Sequence, residues 1–135
     1  DGPRARVEYF DHESGYAAAR ELLESEDPPD ALCISSDMMA IGALMMLKRA
    51  GIAVPDQVAV AGFDDVPLAH LISPSLTTMR IDTAAFGARA VARLADIVSG
   101  TTNRTVEPVT PTLVVRESTN HPSLGEGRST GEHSI

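Results

Sequence analysis

Apolar residues along this chain follow two periodicities that take turns. Arg4 to Phe10, RARVEYF, alternates at every second position and predicts a strand. The next stretch, DHESGYAAARELLESED, carries Tyr16, Ala19, Leu22 and Leu23 at helical spacing, and Pro28–Pro29 stops that helix. Ala31 to Ser35, ALCIS, is an apolar run of strand length. Ser36 and Asp37 then offer N-cap side chains to MMAIGALMMLKRAG, which has Lys48 and Arg49 in its last turn and Gly51 just beyond. After a turn at Pro55, VAVAGF reads as a fully buried strand.

Strand, helix, strand, helix, strand in short succession implies a parallel sheet with right-handed crossovers, so the predicted fold class is α/β. Beyond Phe63 the pattern changes. DDVPLAHLISPSLTTMRID predicts a short helical turn around Leu68 to Ile72, a Ser-Pro-Ser break and an extended LTTMR. Thr83 to Ser99 places Phe86, Ala90, Leu94 and Ile97 on one helical face, closed by Gly100. TVEPVTPTLVVRES is extended, with Pro108 and Pro111 suited to an edge or crossing strand and TLVVRES to a pairing one. Residues 121–135, rich in Gly, Ser and charge and without periodicity, predict a disordered tail. No internal repeat is visible.

Length and composition narrow this picture. With 135 residues, 43% of them hydrophobic, the chain is one domain or one piece of a larger one. Its 11 basic and 19 acidic side chains give a formal charge of −8, which argues against this chain making the phosphate contacts that dominate nucleic-acid affinity. The single cysteine, Cys33, sits in an apolar run, so it reads as a buried small hydrophobe with no disulfide framework. The longest nearly apolar run, Met38 to Leu47, is about half of what a bilayer span requires, and no leader precedes the first strand pattern. The expectation is a soluble, cytoplasmic chain with no membrane partner. A strand pattern that begins almost at the first residue, without a methionine, suggests a fragment.

Ligands of parallel sheets bind beyond the carboxyl ends of the strands. The residues there are Asp11 and His12, then Ser36 and Asp37, then Asp64 and Asp65. This set has no lysine, arginine or glycine-rich loop to meet a phosphate or carboxylate. Its acids accept hydrogen bonds, which suits a sugar-like or purine-like ligand with hydroxyl or N–H donors. Plain structural roles compete: Asp37 as a helix cap, Asp11 opening a turn, and one of Asp64 and Asp65 in an Asx-turn before Pro67. The cap suffices for Asp37. One acid of the Asp64–Asp65 pair stays unexplained, and Asp64 is the candidate ligand contact.

Clustered acids holding Mg²⁺ would also want a lysine at a later strand end, and there is none. Nucleophilic catalysis by Ser36 with His12 or His70 lacks a nucleophile elbow. The expectation is a binding protein, not an enzyme, with no cofactor. His70 reads as a helix-surface residue, and His121 and His133 lie in or beside the tail. The helix MMAIGALMML has no polar side chain on any face, so it must be covered twice. A partner subunit is the simplest second cover, and burial within the same chain is the alternative.

From about Val7 to Asn120 the chain resembles the effector-binding core of LacI/GalR-type bacterial transcriptional repressors. The resemblance rests on SDMMAIGA, GIAVP, VAGFDD, PSLTT and the closing VVRES, in that order and at the family's spacing. It implies a periplasmic-binding-protein-like fold of two α/β subdomains with a small effector, a sugar or purine, in the cleft between them. Asp64 then falls on the acid that hydrogen-bonds the effector, Ser36 on a polar residue facing the cleft, and Thr83 near a third cleft position. The SDMMAIGALMML helix and the PLAHLI turn resemble the family's homodimer surface, which places Met38, Ile41, Met45, Leu68, Leu71 and Ile72 at the interface. LTTMR and EPVTP resemble two of three strands that cross between subdomains.

The resemblance therefore implies that residues 1–120 are a partial effector-binding and dimerisation domain, mostly the C-terminal subdomain plus crossover segments. Operator DNA would be met only through a basic N-terminal head that these residues do not contain, and most of the N-terminal subdomain, with an arginine that anchors the effector, is likewise absent from them. The rival reading is a fragment of a transport-type periplasmic sugar-binding protein with the same cleft.

Overall fold

Strands of three to five residues, each followed by a turn or helix, build one mixed sheet in the computed structural model, which describes residues 2–101 and 108–120. The elements are α1 (His12–Leu23), β1 (Ala31–Cys33), α2 (Asp37–Ala50), β2 (Ala59–Phe63), β3 (Thr77–Arg80), α3 (Thr83–Val98) and β4 (Thr112–Val114), with a 3₁₀ turn at Pro67–His70. The sheet order is β1-β2-β3-β4. β1 and β2 run parallel with Leu32 opposite Val60, β2 and β3 run parallel with Gly62 opposite Thr78, and β4 joins β3 antiparallel with Leu113 opposite Met79. The α/β class and parallel core expected from the pattern are present. The predicted tail, including His121 and His133, and the Thr105–Glu107 part of the proposed crossing strand lie outside the described residues.

The ends of α2 follow the sequence signals. Ser36 is the N-cap, its Oγ accepting a hydrogen bond from the Met39 N–H, and Gly51 takes the left-handed φ of 71° that closes the helix onto the Leu47 and Lys48 carbonyls. Asp37 is the first helical residue and not the cap, which corrects the expected role of that side chain.

The core lies between α2 and one face of the sheet, where Leu32, Ala40, Ala43, Leu44, Leu47, Val60 and Leu76 are buried together. α1 covers most of the side of α2 turned away from the sheet, as the alternative of burial within the chain expects, while Met38 and Met45 stay exposed. The two helices meet at backbone distance. A Cβ on Gly15 would stand 2.0 Å from the Met39 carbonyl oxygen, and one on Gly42 would stand 1.9 Å from that of His12. Only glycine permits this approach.

Two expectations fail for a shared reason. Arg4–Phe10 forms no strand: residues 2–7 have no regular structure and residues 8–11 bend into α1. A strand needs a neighbour to take its alternate N–H and C=O groups, and a depression of about 670 Å³ separates this segment from β1. Cys33 is exposed, not buried. In the three-residue β1 only Leu32 points at the helix layer, while Ala31 and Cys33 face the side of the sheet that nothing among the described residues covers there. A short apolar run cannot say which of its faces will find a neighbour.

The face of α3 read from the sequence exists, yet none of its residues is buried, and Phe86, Leu94 and Ile97 are all more than half exposed. The chain leaves the packed body along β3, enters α3, and returns along β4.

Candidate functional site

β2 ends at Phe63, and the next two residues take backbone conformations that side chains rarely adopt: φ is 119° at Asp64 and 57° at Asp65. Neither is glycine, so the surroundings must hold them. The Asp64 N–H donates to the Met79 carbonyl at 2.9 Å, continuing the β2–β3 ladder by one step, and the Asp65 N–H points to Thr78 Oγ1 at 3.4 Å. The Asp65 carboxylate, only 8% exposed, accepts from Arg80 Nε on one oxygen and from Arg116 Nη2 on the other, each at 2.5 Å. Turn shape and side-chain pairing thus belong together. Asp65 shapes the turn as expected, through two arginines rather than through an Asx-turn.

Asp37 closes the other side. Its carboxylate is fully buried, accepting from Thr78 Oγ1 at 2.6 Å and from the Val66 N–H at 2.9 Å. It therefore fastens the N-terminus of α2 to β3 and to the loop after β2. The carboxylate passes so close over β2 that a Cβ on Gly62 would stand 2.3 Å from Asp37 Oδ1, which explains a glycine inside a buried strand.

The VVRES segment works as a clasp. Arg116 Nη1 donates to the Leu76 carbonyl at 2.7 Å while its Nη2 holds Asp65. Glu117 accepts from the Ser75 N–H at 2.7 Å and from its hydroxyl at 3.0 Å. The buried Ser118 hydroxyl accepts from the Thr77 N–H at 2.8 Å and donates to the Val60 carbonyl at 2.6 Å. Side-chain atoms here complete hydrogen bonds that a strand would otherwise supply.

These pairings divide the charges. Burial pushes the Asp65 carboxyl up, but hydrogen bonds and charge from Arg116 and Arg80 outweigh that, and its pKa lies below the ordinary aspartate value. Asp64 goes the other way: partial loss of water, followed by the charge of Asp37, raises its pKa, with the Asp37 backbone N–H relieving part of the effect. Asp64 is exposed to solvent. An exposed carboxylate whose ionised form is not yet fully satisfied gains from a neutral ligand that brings hydroxyl or N–H donors.

The predicted site residues fall at one edge. Ser36 follows β1, Asp64 follows β2 and Thr83 follows β3, all just beyond the carboxyl ends of adjacent parallel strands. Asp64 and Thr83 are exposed, whereas Ser36 is buried and its Oγ serves the α2 cap. Asp11 and His12 differ from expectation. No strand precedes them, and Asp11 caps α1 by accepting from the Ser14 N–H at 2.8 Å. The large depression lies elsewhere, between residues 2–7, α1 and β1, and none of Ser36, Asp64 and Thr83 lines it. Among the described residues no cluster of His, Cys, Asp and Glu is arranged to hold a metal.

Of the six residues assigned to a subunit interface, Met38, Met45, Leu68 and Leu71 are exposed, Leu71 by 70%. Ile41 is buried within the chain, and Ile72 is half-buried against the core. Sequence reasoning missed Arg80 and Arg116. The signal was the adjacent acid pair itself, because the member of it that turns inward, Asp65, is a buried carboxylate that calls for cations.

The profile of the periplasmic binding protein-like domain matches residues 3–119. The chain is 35% identical over 111 residues to the lactose operon repressor of Rhizobium radiobacter, a match that covers 82% of this chain and 98% of that sequence. A solved LacI family transcriptional regulator from Arthrobacter sp. FB24, in complex with lactose, superposes with a TM-score of 0.72 at 34% identity, over 82% of this chain and 42% of that one. A solved transcriptional regulator CelR–cellobiose complex superposes with a TM-score of 0.74 at 37% identity, over 81% of this chain and 34% of that one. The chain spans about a third of the length of several other curated regulators that it matches. No helix among the described residues is long and apolar enough to cross a membrane.

Proposed function

This chain belongs to the LacI family of transcriptional regulators with a periplasmic-binding-protein-like domain, and from that membership we propose that it is the carboxyl-terminal effector-binding and dimerisation part of a DNA-binding repressor. Residues 1–120 supply one wall of an effector cleft, and the DNA-binding head and the rest of the opposite wall belong to a longer chain. The reading draws support from the share of these relatives that the chain spans and from the apolar face of α3, whose Phe86, Leu94 and Ile97 are exposed. Such a regulator acts in the cytoplasm, where its operator lies.

The observation that carries the functional reading is Asp64: an exposed carboxylate with a raised pKa, on a tightly held turn at the carboxyl edge of the sheet. It accepts hydrogen bonds from a neutral effector, a sugar or a purine-like molecule, with Ser36 and Thr83 at the same edge. Effector binding biases the orientation of two subdomains and so the geometry of the DNA-binding heads, a shift between two states and not catalysis. Self-association uses the exposed residues Met38, Met45, Leu68 and Leu71.

Titration calorimetry on the full-length regulator with lactose, cellobiose and adenosine, comparing wild type with Asp64→Ala, tests the assignment. The variant is expected to bind at least about tenfold more weakly, the scale of one lost charged hydrogen bond. Equal affinity for wild type and variant removes Asp64 from the site.

A further inference from the structure

Asp65 holds more than its own turn. Its two arginines belong to the two segments that join the packed body to α3: Arg80 is the last residue of β3, and Arg116 follows β4 by two residues. α3 buries none of its residues, so β3 and β4 form the arms of its attachment. A single carboxylate, 8% exposed, therefore touches one arm at its α3 end, through Arg80, and the other where it re-enters the packed body, through Arg116. The same residue sits in a left-handed conformation directly after Asp64, whose φ of 119° is rarer still. Such a conformation persists only where its surroundings over-determine it.

We propose that Asp65 is a positioning residue: by gripping Arg80 and Arg116 it fixes the backbone that aims Asp64 at the effector, and it couples movement of the β3–β4 arms to that aim. Asp65 itself does not touch the effector. The proposal rests on the effector role given to Asp64 and adds the means by which that role is transmitted. When the arms shift, the two guanidinium groups move with them, and the shared carboxylate carries the movement of both arms to the Asp64 turn. Coupling of this kind travels through contiguous contacts such as ion-pair networks, and this triad joins the Asp64 turn to both arms.

The test combines two measurements on the full-length regulator. Backbone amide exchange at Asp64 and Val66 needs no ligand, with the Ile34 amide, bonded to the Ala61 carbonyl, as an internal reference. Asp65→Asn keeps the shape and removes the charge. It is expected to speed exchange at Asp64 and Val66 about tenfold while Ile34 stays as in wild type, the scale of lost charged hydrogen bonds. Arg80→Gln, at a side chain 55% exposed where folding is not at issue, is expected to act in the same direction by about threefold.

In calorimetry with lactose and cellobiose, Asp65→Asn is expected to weaken binding about tenfold. The double variant Asp64→Asn/Asp65→Asn is expected to bind no more weakly than Asp64→Asn alone, because Asp65 acts through Asp64 and the effects are then not additive. Unchanged exchange at Asp64 and Val66 in both Asp65→Asn and Arg80→Gln overturns the proposal, as does a uniform rise that includes Ile34. Strictly additive losses in the double variant overturn it too. If Asp64→Asn binds like wild type, the effector role of Asp64 fails, while the exchange result still decides whether Asp65 holds the turn. If neither sugar binds wild type, the exchange rates alone decide between the two outcomes.

Discussion

Asp37→Ala should be the most damaging single substitution near the sheet edge. The wild-type carboxylate is fully buried and accepts from Thr78 Oγ1 and from the Val66 N–H, and it stands in the first turn of α2. Hydrogen bonds to a carboxylate contribute about 1.5–3 kcal/mol each, and removing the acceptor strands two donors that water reaches poorly. The interaction of an acid with the helix N-terminus adds roughly 0.3–1 kcal/mol. Because these terms share one group they do not simply add, and the expected loss is about 3–5 kcal/mol. Asp37→Asn, which keeps the shape and one acceptor oxygen, should lose about half as much. Urea denaturation of this chain, followed by circular dichroism for both variants, reads the difference directly. A loss below about 0.5 kcal/mol for Asp37→Ala, the range of an ordinary surface substitution, would refute the view that Asp37 fastens α2 to β3 and the loop after β2.

Gly42→Ala should cost about 1–3 kcal/mol in the same assay, because the added methyl meets the His12 carbonyl and forces α1 and α2 apart; a neutral result would mean the helices are not in backbone contact. Met45→Glu places a charge on an exposed apolar surface and should weaken self-association of the full-length regulator at least about tenfold in sedimentation. An identical dimer for mutant and wild type would remove this helix face from the interface. Effector affinity should fall with decreasing pH, and from a higher pH than an ordinary aspartate would give. The free-state pKa of Asp64 is raised and ligand donors favour its ionised form, so affinity is full above that pKa and is lost as pH falls through it. Calorimetry in two buffers should show proton release across that window, absent in Asp64→Asn. Asp65 has the opposite shift: its contribution to stability is present above the unfolded aspartate pKa, about 3.9, and is lost as pH falls through its lowered folded value.

Local signals read well where the chain itself supplies both partners of an interaction. Ser36, Gly51 and the basic last turn delimit α2 because capping is a matter of a few adjacent residues. The run VAVAGF is a central strand, paired along both edges, but not the fully buried one its apolar run predicts: Val60 and Gly62 are buried while Ala59, Ala61 and Phe63 are half-buried. Reading failed where the outcome depends on a neighbour distant in sequence. RARVEYF has the alternation of a strand but nothing to pair with, and Cys33 faces the uncovered side of its sheet. α2 did need two covers, and most of the second came from Gly15 and its helix, a contact made possible by glycines and invisible in a hydrophobicity pattern.

The site divided along the same line. Asp64 was legible as a candidate from its position after a buried strand, whereas the partners of Asp65 lie 15 and 51 residues away. Arg116 belongs to the VVRES stretch, whose order and spacing carried the family resemblance but gave no physical reason for an arginine. That reason is the carboxylate it grips. Asp37 was explained too readily as a cap, because Ser36 beside it could do that work and the more distant demands of Thr78 and Val66 could not be seen.

The central claim, that the effector meets Asp64 at the carboxyl edge of the sheet, is tested most directly by a crystal structure of the full-length regulator with its bound effector. A ligand hydroxyl or N–H is expected within hydrogen-bond distance of the Asp64 carboxylate, with the Asp65 grip on Arg80 and Arg116 intact. An effector lodged instead in the depression between residues 2–7, α1 and β1, with Asp64 in open solvent, would contradict the claim.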